Sequence, residues 1–337
     1  WRVSIDDLEA SCTKVNSAAL VVSWFGTDVR CGQCEMIPGG ESRDKVTDHD
    51  PWTAAGNSRA TAHEVSQVNG RPAYGGTPAD TSVVSAIKDL KSRGKSVVFY
   101  PFILMDIATG NTLIDPYTGL SSQPEYPWRG LITCDPAPNR PGSPDKSAAS
   151  TAQIDAFFGT ASVSDFAISG SDVVYSGPSE WSFRRMILHY AHLCVAAGGV
   201  DAFLIGSELR NLVHVRDSAD HYPAVDHLIA LASDVRAVVG SSTKISYAAD
   251  WSEYFGHQPQ DGSNDVYFHL DPFWAHSEVD FIGIDNYMPL SDWRDGSGHL
   301  DRAEGARSIY DLDYLRGNIA GGEGFDWYYV SQADRDD

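Results

Sequence analysis

Acidic side chains stand just past the ends of several short apolar runs. In "VDAFLIGSELRNL" the run over residues 200–206 ends two residues before Glu208. Other polar and aromatic residues follow similar runs, and they are Trp24 with Asp28, Tyr100 with Asp106, Arg210 and Asn211 after Glu208, Asp250 with Trp251 and Glu253, and Asp285 with Asn286 and Tyr287. Aromatic faces stack on sugar rings, and a pair of carboxyl groups can act together on a glycosidic bond. The pattern therefore favours a carbohydrate site.

Glu208 is the candidate general acid/base of such a site. Glu253 and Asp285 are the candidates for a second catalytic carboxyl group, and Asp250 could also supply it. The alternative is structural, because a carboxylate at a strand end can pair with Arg210 or another arginine and only hold the loops together. The residues predicted to bind a substrate are Trp24, Asp28, Asp106, Asn211, Asp250, Trp251, Tyr287 and Trp293, although Asp106 could instead cap the loop that follows it.

A helix, a glycine and a β-branched strand recur in series ahead of these residues. The segment "TPADTSVVSAIKDLKSRG" predicts a helix with Thr77 as N-cap, Pro78 at the first helical position and Gly94 at its end. The strand "KSVVFYPFILMD" follows. The same order returns in "EWSFRRMILHYAHLCVAAGG" with "VDAFLIG", in "AVDHLIALASDVRAVVG" with "KISYAAD", and in "YFHLDPFWAHSE" with "VDFIGIDNYMPL". Consecutive units of this kind predict an α/β fold with a parallel sheet.

Two architectures are built from such units, a doubly wound sheet and a (β/α)8 barrel. A nucleotide-binding sheet would carry G-x-G-x-x-G after an early strand or G-x-x-x-x-G-K-[ST], and the sequence contains neither. This disfavours a cofactor-dependent oxidoreductase, and no cofactor is expected. The barrel is the favoured architecture, and its active sites lie at the carboxyl ends of the strands, where the acids stand.

The charge balance bears on the partners. The 337 residues include 25 Lys and Arg against 46 Asp and Glu, a formal net charge of −21. Such a charge repels nucleic acid and anionic membrane surfaces, so no nucleic-acid partner is expected. A solvated acidic surface that keeps the protein in solution explains the charge equally well. No apolar stretch approaches the ~20 residues of a membrane-spanning helix.

The cysteine and histidine spacing gives little support for a metal site. Cys31 and Cys34 form a single C-x-x-C in "RCGQC", without the second pair that a zinc site of this type would need. His189, His192 and Cys194 fall on one predicted helix in the outer layer, where packing explains them better than metal binding. No metal is predicted.

Seven segments together resemble one family. They are "VVSWFGTDVRCGQC", "RPAYGGTPAD", "YPFILMDI", "PEYPWRGLITCDP", "VDAFLIGSELRNL", "DPFWAHSEVDFIGIDNYMPLSDWRD" and "GGEGFDWYY". In this order they are similar to the glycoside-hydrolase TIM-barrel-like domain of the large tail proteins (baseplate hub or megatron) of gene transfer agents and tailed phages. The resemblance implies a single glycoside-hydrolase-like TIM-barrel domain over residues 1–337.

The resemblance also implies roles and strand numbers. Retaining glycosidases of this barrel clan place the acid/base glutamate after the fourth strand and the nucleophile after the seventh. If Glu208 fills the first role, the run before Asp28 is the second strand and the run before Asp106 the third. The nucleophile would lie in a "WFTE"-like segment that this sequence lacks, and Glu323 in "GGEGF" reads as a loop residue. The barrel is therefore expected to lack its first and last strands in this chain, as in a fragment of a larger tail protein.

The partners and location follow from the resemblance alone. It implies a tail-tip structural protein of an extracellular virion, assembled in the bacterial cytoplasm, that forms a homo-oligomer on the tail axis and contacts other tail or baseplate subunits. Its barrel would bind or cleave polysaccharide of the host envelope. The alternative is a non-catalytic carbohydrate-binding or scaffolding barrel, and a second carboxyl group at a catalytic distance from Glu208 would distinguish the enzyme from it.

Overall fold

The computed structural model describes residues 1–47, 50–287, 290–291, 293–321 and 333. Glu323 lies outside the described residues. The chain divides into two compact units, residues 1–285 and 286–337. The single domain predicted for residues 1–337 stays a prediction.

The described part of the chain contains helices and strands with the following bounds. The helices are α1 (Arg2–Ser11), α2 (Asp80–Ser92), α3 (Ala148–Phe158), α4 (Phe183–Ala196), α5 (Arg210–Val213), α6 (Pro223–Val239), α7 (Trp251–Tyr254), α8 (Asp271–Trp274), α9 (Leu300–Ala303) and α10 (Leu312–Gly321). The strands are β1 (Ser17–Gly26), β2 (Met36–Ile37), β3 (Gly39–Gly40), β4 (Thr53–Ala54), β5 (Asn57–Ser58), β6 (His63–Glu64), β7 (Gln67–Val68), β8 (Arg71–Pro72), β9 (Ser96–Met105), β10 (Phe166–Ser169), β11 (Asp172–Tyr175), β12 (Ala202–Ser207), β13 (Lys244–Asp250) and β14 (Gly283–Asp285).

The main sheet has the strand order β14-β13-β12-β9-β1-β2. Its first five strands are parallel to one another, and β2 is antiparallel to β1. The prediction of a mixed α/β fold with a parallel sheet is confirmed. The parallel strands lie side by side in the order in which they follow one another along the chain, whereas a doubly wound sheet reverses its order at a switch point.

The helices cover one face of this sheet. Along β9 the side chains alternate, and Val97, Phe99 and Ile103 are buried against the layer formed by α2 and α4. Successive side chains of a strand point to opposite faces, so Tyr100 and Phe102 lie on the other face, where they are half-buried. That second face, which we call the inner face, carries the candidate site.

The inner face is strongly curved. Tyr100 of β9 donates a hydrogen bond to Asp285 of β14, although two strands lie between them. Neighbouring strands are ~4.8 Å apart, so β9 and β14 are separated by roughly 14 Å along a flat sheet. Side chains that stand perpendicular to a flat sheet could not meet across that distance. The sheet therefore curls around its inner face, and among the described residues no strand pairing closes it into a ring.

The helix α2 begins later than the sequence predicts. Its N-cap is Ala79, and Asp80 is the first helical residue. Thr77, the predicted N-cap, is buried and donates its hydroxyl to the Ser23 carbonyl at 2.8 Å while accepting from the Gly39 amide at 3.0 Å. The Thr77 hydroxyl therefore bonds backbone groups distant in sequence and does not cap α2 as predicted.

The second unit comprises residues 286–337. It contains α9 and α10, and the ring of Trp293 packs 4.5 Å from that of His299. Arg307 and Asp311 form an ion pair at 2.7 Å. Across both units, no helix in the described ranges is long and apolar enough to cross a membrane.

Core packing around β9 and β12 yields a stability prediction. Phe203 and Phe99 stack with ring centroids 5.6 Å apart, and both are fully buried. We expect Phe203→Ala to lower the free energy of unfolding by about 3–5 kcal/mol, because it leaves a cavity and removes buried apolar surface. Urea denaturation measures the change. Phe268→Ala is the control, since Phe268 is 63% exposed, and its cost should stay within about 0.5 kcal/mol. Equal losses in the two variants would contradict this account of the core.

Candidate functional site

Glu208 stands directly after β12, where the strand is irregular. The register between β12 and β13 shifts between Leu204 and Ser207. Within the shift, Gly206 has φ +149°, and a Cβ there would lie 2.7 Å from Cζ of Phe183, so the position requires glycine. Glu208 itself has φ +50°, in the left-handed region, and its amide donates to the Ala248 carbonyl at 2.9 Å. The end of the strand thus holds Glu208 in a backbone conformation that few residue types adopt easily.

The carboxylate of Glu208 is buried against two residues of a long loop. Nη2 of Arg129 lies 2.9 Å from Oε2 of Glu208, and both side chains are less than 5% exposed. The indole N–H of Trp128 donates to the same oxygen. Arg129 is in turn fixed by hydrogen bonds from its Nε to the carbonyl and hydroxyl oxygens of Ser207, both at 3.0 Å, and its guanidinium lies 3.6 Å above the ring of Phe102. The ion pair of Glu208 is with Arg129 and not with Arg210.

Asp285 is the neighbour of Glu208 from β14. Burial raises the pKa of Asp285 to about 6, and a hydrogen bond with the Glu208 carboxyl and the charge of Glu208 add to the rise, while the Tyr100 hydroxyl opposes it. The two carboxyl groups are therefore in contact. A like charge beside a carboxyl group favours its protonated form, so the position next to Glu208 favours the protonated form of Asp285.

Glu253 is a third carboxyl group, buried within reach of the charge of Glu208. It is 1% exposed, and burial raises its pKa to about 8. One of its oxygens accepts from the Asp250 amide, and the other accepts from the Tyr247 hydroxyl at 3.0 Å. The Tyr247 oxygen accepts from the Leu209 amide at 2.6 Å. Glu253 thus ties the start of α7 to the residue that follows Glu208, and both of its oxygens are engaged within the protein.

The structure also places Asp250 and Trp251 at the start of α7. Asp250 is the N-cap, and its carboxylate accepts a hydrogen bond from the Ser252 amide at 2.9 Å. The carboxyl group of Glu253 accepts a hydrogen bond from the Asp250 amide. This is a capping box. Trp251 is 38% exposed, with its ring 5.9 Å from that of Phe255.

Trp24, predicted to bind a substrate, lies in the core. It is paired in register with Ile103 and so points to the helix-covered face of the sheet. Its ring is 0% exposed and packs against Trp181 at 5.6 Å and Tyr190 at 5.9 Å. This corrects the prediction, since a ring on that face cannot line a site on the inner face.

Asp28 and Asp106 are engaged within the loops. Asp28 is 4% exposed and forms a salt bridge with Arg30 at 2.6 Å. It also accepts from Nε2 of Gln123 at 2.7 Å. Asp106 accepts from the Ser66 amide at 3.0 Å and bonds Nε2 of His63 at 2.6 Å. These contacts hold the loops that follow β1 and β9.

The other predicted substrate residues fall in two places. Nδ2 of Asn211 donates to the Tyr117 hydroxyl, which donates to the Leu131 carbonyl, both at 2.7 Å. Asn211 and Tyr117 line a cleft. Tyr287 and Trp293 belong to the second unit, where Tyr287 is 63% exposed.

Sequence reasoning missed Arg129, Trp128 and Tyr247 as parts of this cluster. Arg129 and Trp128 come from the middle of a long loop, about 80 positions before Glu208, and no local pattern links such distant residues. Tyr247 carried a weak signal, because it is the one phenol in the strand "KISYAAD".

Among the residues that the structure describes, no group of three or more His, Cys, Asp or Glu is arranged to hold a metal ion. Cys31, Cys34 and Cys134 are buried free thiols.

Comparison with known proteins gives two kinds of result. No curated protein matches the chain. Three solved structures are similar at 14% identity, namely a complex of a GH113 β-1,4-mannanase, a second GH113 β-1,4-mannanase structure, and the GH113 β-mannanase AaManA from Alicyclobacillus acidocaldarius in complex with ManMIm. They cover 95%, 87% and 87% of this chain with TM-scores of 0.40, 0.40 and 0.41, and the chain spans only 62%, 58% and 57% of their lengths. Likeness at this level says nothing about activity.

A family model gives the second result. The model described as the GTA TIM-barrel-like domain matches residues 181–337, just under half of the chain. This stretch contains Glu208, Glu253 and Asp285 as well as α4 and α6. The resemblance found in the sequence motifs is thereby confirmed over residues 181–337, which match the GTA TIM-barrel-like domain.

Proposed function

We propose that this chain is the carbohydrate-directed barrel of a tail-tip protein of the gene-transfer-agent and tailed-phage type. In this proposal Glu208 acts as the general acid on a glycosidic bond of host-envelope polysaccharide. The observation that carries the proposal is the contact between the buried carboxyl group of Glu208 and the partly buried carboxyl group of Asp285, at the carboxyl ends of parallel strands. Barrel active sites occupy that position.

The sheet supports a (β/α)8 architecture in two ways. Its parallel strands follow one another in sequence order without a reversal, as strands do around a barrel. The hydrogen bond from Tyr100 to Asp285 requires the sheet to curl around its inner face. Since a barrel is a sheet curled until its edges meet, both observations agree with a barrel whose strands are only partly within the described residues.

The chemistry follows from the protonation of the pair. A general acid must hold a proton near the working pH, and burial together with a like-charged neighbour keeps a carboxyl group protonated. The pKa of Asp285, raised to about 6, keeps a proton next to Glu208 in this way. Hydrogen-bonded carboxyl groups lie closer together than the ~5–5.5 Å that separates acid and nucleophile in retaining glycosidases. Asp285 is therefore too close to Glu208 to attack the sugar as the nucleophile of a retaining enzyme.

A second candidate function is a non-catalytic binding or scaffolding barrel. It is favoured by the contacts of Glu208, whose Oε2 is occupied by Arg129 and Trp128. A buried ion pair of this kind joins the loop that carries Arg129 to the end of β12, which is a structural role. Under this candidate the acids hold loops together or contact a glycan without cleaving it.

Activity of the Glu208→Gln variant separates the two candidates. We expect the full-length protein to release reducing ends from host-envelope polysaccharide or peptidoglycan, and Glu208→Gln to lower the rate by about 10²–10⁴-fold, because glutamine cannot donate a proton. Glu35→Gln is the matched control, since Glu35 is exposed and the charge change is the same. Release by neither protein, with binding of the polymer intact, would support the second candidate. Equal release by the parent and by Glu208→Gln would overturn the role of Glu208.

The raised pKa of Glu253 predicts a pH dependence of stability. Glu253 keeps its proton in the folded state up to a pH of about 8, whereas in the unfolded chain it ionises at ~4.3. Between these values the folded state binds one more proton, so stability falls as the pH rises. We expect Glu253→Gln, which imitates the neutral acid, to lose less stability between pH 5 and pH 8 than the parent, as measured by urea denaturation.

The comparison between variants isolates Glu253, because Asp285 contributes a slope of the same sign in both proteins. Glu35→Gln should keep the slope of the parent. A Glu253→Gln slope equal to that of the parent would show that Glu253 is ionised in the folded protein.

A further inference from the structure

A polar cleft is lined in part by α5, the short helix that follows Glu208. Its volume is about 420 Å³, within the range of small-ligand sites. Residues from α5, which begins two positions after Glu208, and from the chain after α7 line it. The residues that matter for its chemistry are Tyr117, Arg210, Asn211, His214, His257 and Gln258. None of the described residues that line this cleft is Asp or Glu, although the chain has a net charge of −21.

Arg210 supplies a positive charge to this cleft. Its Nη1 donates to Oδ1 of Asn211 at 3.2 Å, and its Nε is buried without a hydrogen-bond partner. Within the described ranges Arg210 forms no ion pair, whereas Arg129 and Arg216 are paired with Glu208 and Asp145. Because Arg210 lines the cleft and no carboxylate in the described ranges pairs with it, its positive charge offers a binding position for an anion.

Two histidines form a wall of the cleft. The rings of His214 and His257 stack with centroids 4.5 Å apart at 12°. Burial lowers the pKa of both, that of His257 to about 4, and the charge of Arg210 adds to the effect. Nε2 of His214 is buried without a partner, while Nδ1 of His257 bonds the Tyr222 hydroxyl at 3.0 Å. The rings are therefore neutral at pH 7, and they present polar atoms without adding charge.

The carboxylates nearest to His257 do not neutralise Arg210. The charges of Asp145 and Asp261 act on His257 and raise its pKa, against the larger effect of burial. Each of these carboxylates has a basic partner of its own. Asp145 lies 3.3 Å from Arg216, and Asp261 lies 3.6 Å from Lys146. The positive charge of Arg210 remains available to a ligand.

We infer that this cleft binds the carboxylate of an acidic sugar, with Arg210 as the residue that recognises it. The planar guanidinium suits a planar carboxylate, which it can bind through two hydrogen bonds, and Asn211 holds it in place. Arg210 follows Glu208 by two residues in the chain, which places the cleft residue on the same segment as the proposed acid. The inference rests on the proposed function and narrows its substrate class to glycans with carboxylate-bearing sugars, such as uronic acids or sugars with a lactyl ether.

The test compares charged ligands with their neutral esters. Calorimetry on the full-length protein would measure binding of a galacturonic acid tetramer and of a peptidoglycan tetrasaccharide with muramic acid, each as the free acid and as the methyl ester. We expect the parent to bind one free acid at least tenfold more tightly than its ester. Arg210→Gln should abolish this preference and leave binding of the ester unchanged. Arg71→Gln should keep it, because Arg71 is exposed and does not line the cleft.

The outcomes distinguish this inference from the proposed function. Glu208→Gln should retain the preference for the free acid even if it loses hydrolysis. Hydrolysis without a preference for the acid would overturn the inference and leave the proposed function standing. Tighter binding of the free acid without hydrolysis would support the inference for the cleft and the second candidate function, a non-catalytic binding module. Equal affinities for acid and ester in the parent, no binding of any of the four ligands, or an unchanged preference in Arg210→Gln would each show that Arg210 reads no carboxylate.

Discussion

The removal of carboxyl groups from water is the constraint on which the centre of this protein depends. Glu208 and Glu253 are almost fully buried, Asp285 is partly buried beside them, and Arg129 forms the ion pair with Glu208. Burying several anions close together is costly unless each gains a cation, a proton or strong donors. The protein uses all three. Arg129 is the cation that pairs with Glu208, Glu253 keeps its proton, and Asp285 accepts a hydrogen bond from the Tyr100 hydroxyl.

This solution requires a loop from elsewhere in the chain. Arg129 and Trp128 reach Glu208 only because the loop after β9 is held in one conformation. Polar contacts hold it, among them the bonds from Tyr117 to the Leu131 carbonyl and from Gln123 to the Asp28 carboxylate. The loop residues that looked like ligand contacts in the sequence are therefore partly structural, and they position the charge that makes the buried acid tolerable.

The sequence predicted the repeating units well and the site in part. Helix, glycine and strand recur locally, so β9, β12, β13 and β14 could be anticipated, and each apolar run ended near a polar residue that now lies on or near the inner face. The face of the sheet to which a strand residue points is harder to predict from sequence. Trp24 and Tyr100 both belong to apolar runs, and only the register of β1 with β9 shows that they lie on opposite faces. The pairing of Arg129 with Glu208 is a tertiary contact and has no local signature.

The left-handed backbone at Glu208 has an evolutionary consequence. A glutamate at φ +50° costs folding free energy that glycine or asparagine would not, of the order of 1 kcal/mol. In any lineage where the carboxylate has no use, substitutions to glycine or asparagine at this position would therefore be favoured by their gain in stability. The residue found at position 208 in related chains is accordingly a record of selection. Glutamate retained there marks lineages in which the carboxylate still has a role, either in chemistry or in the ion pair with Arg129.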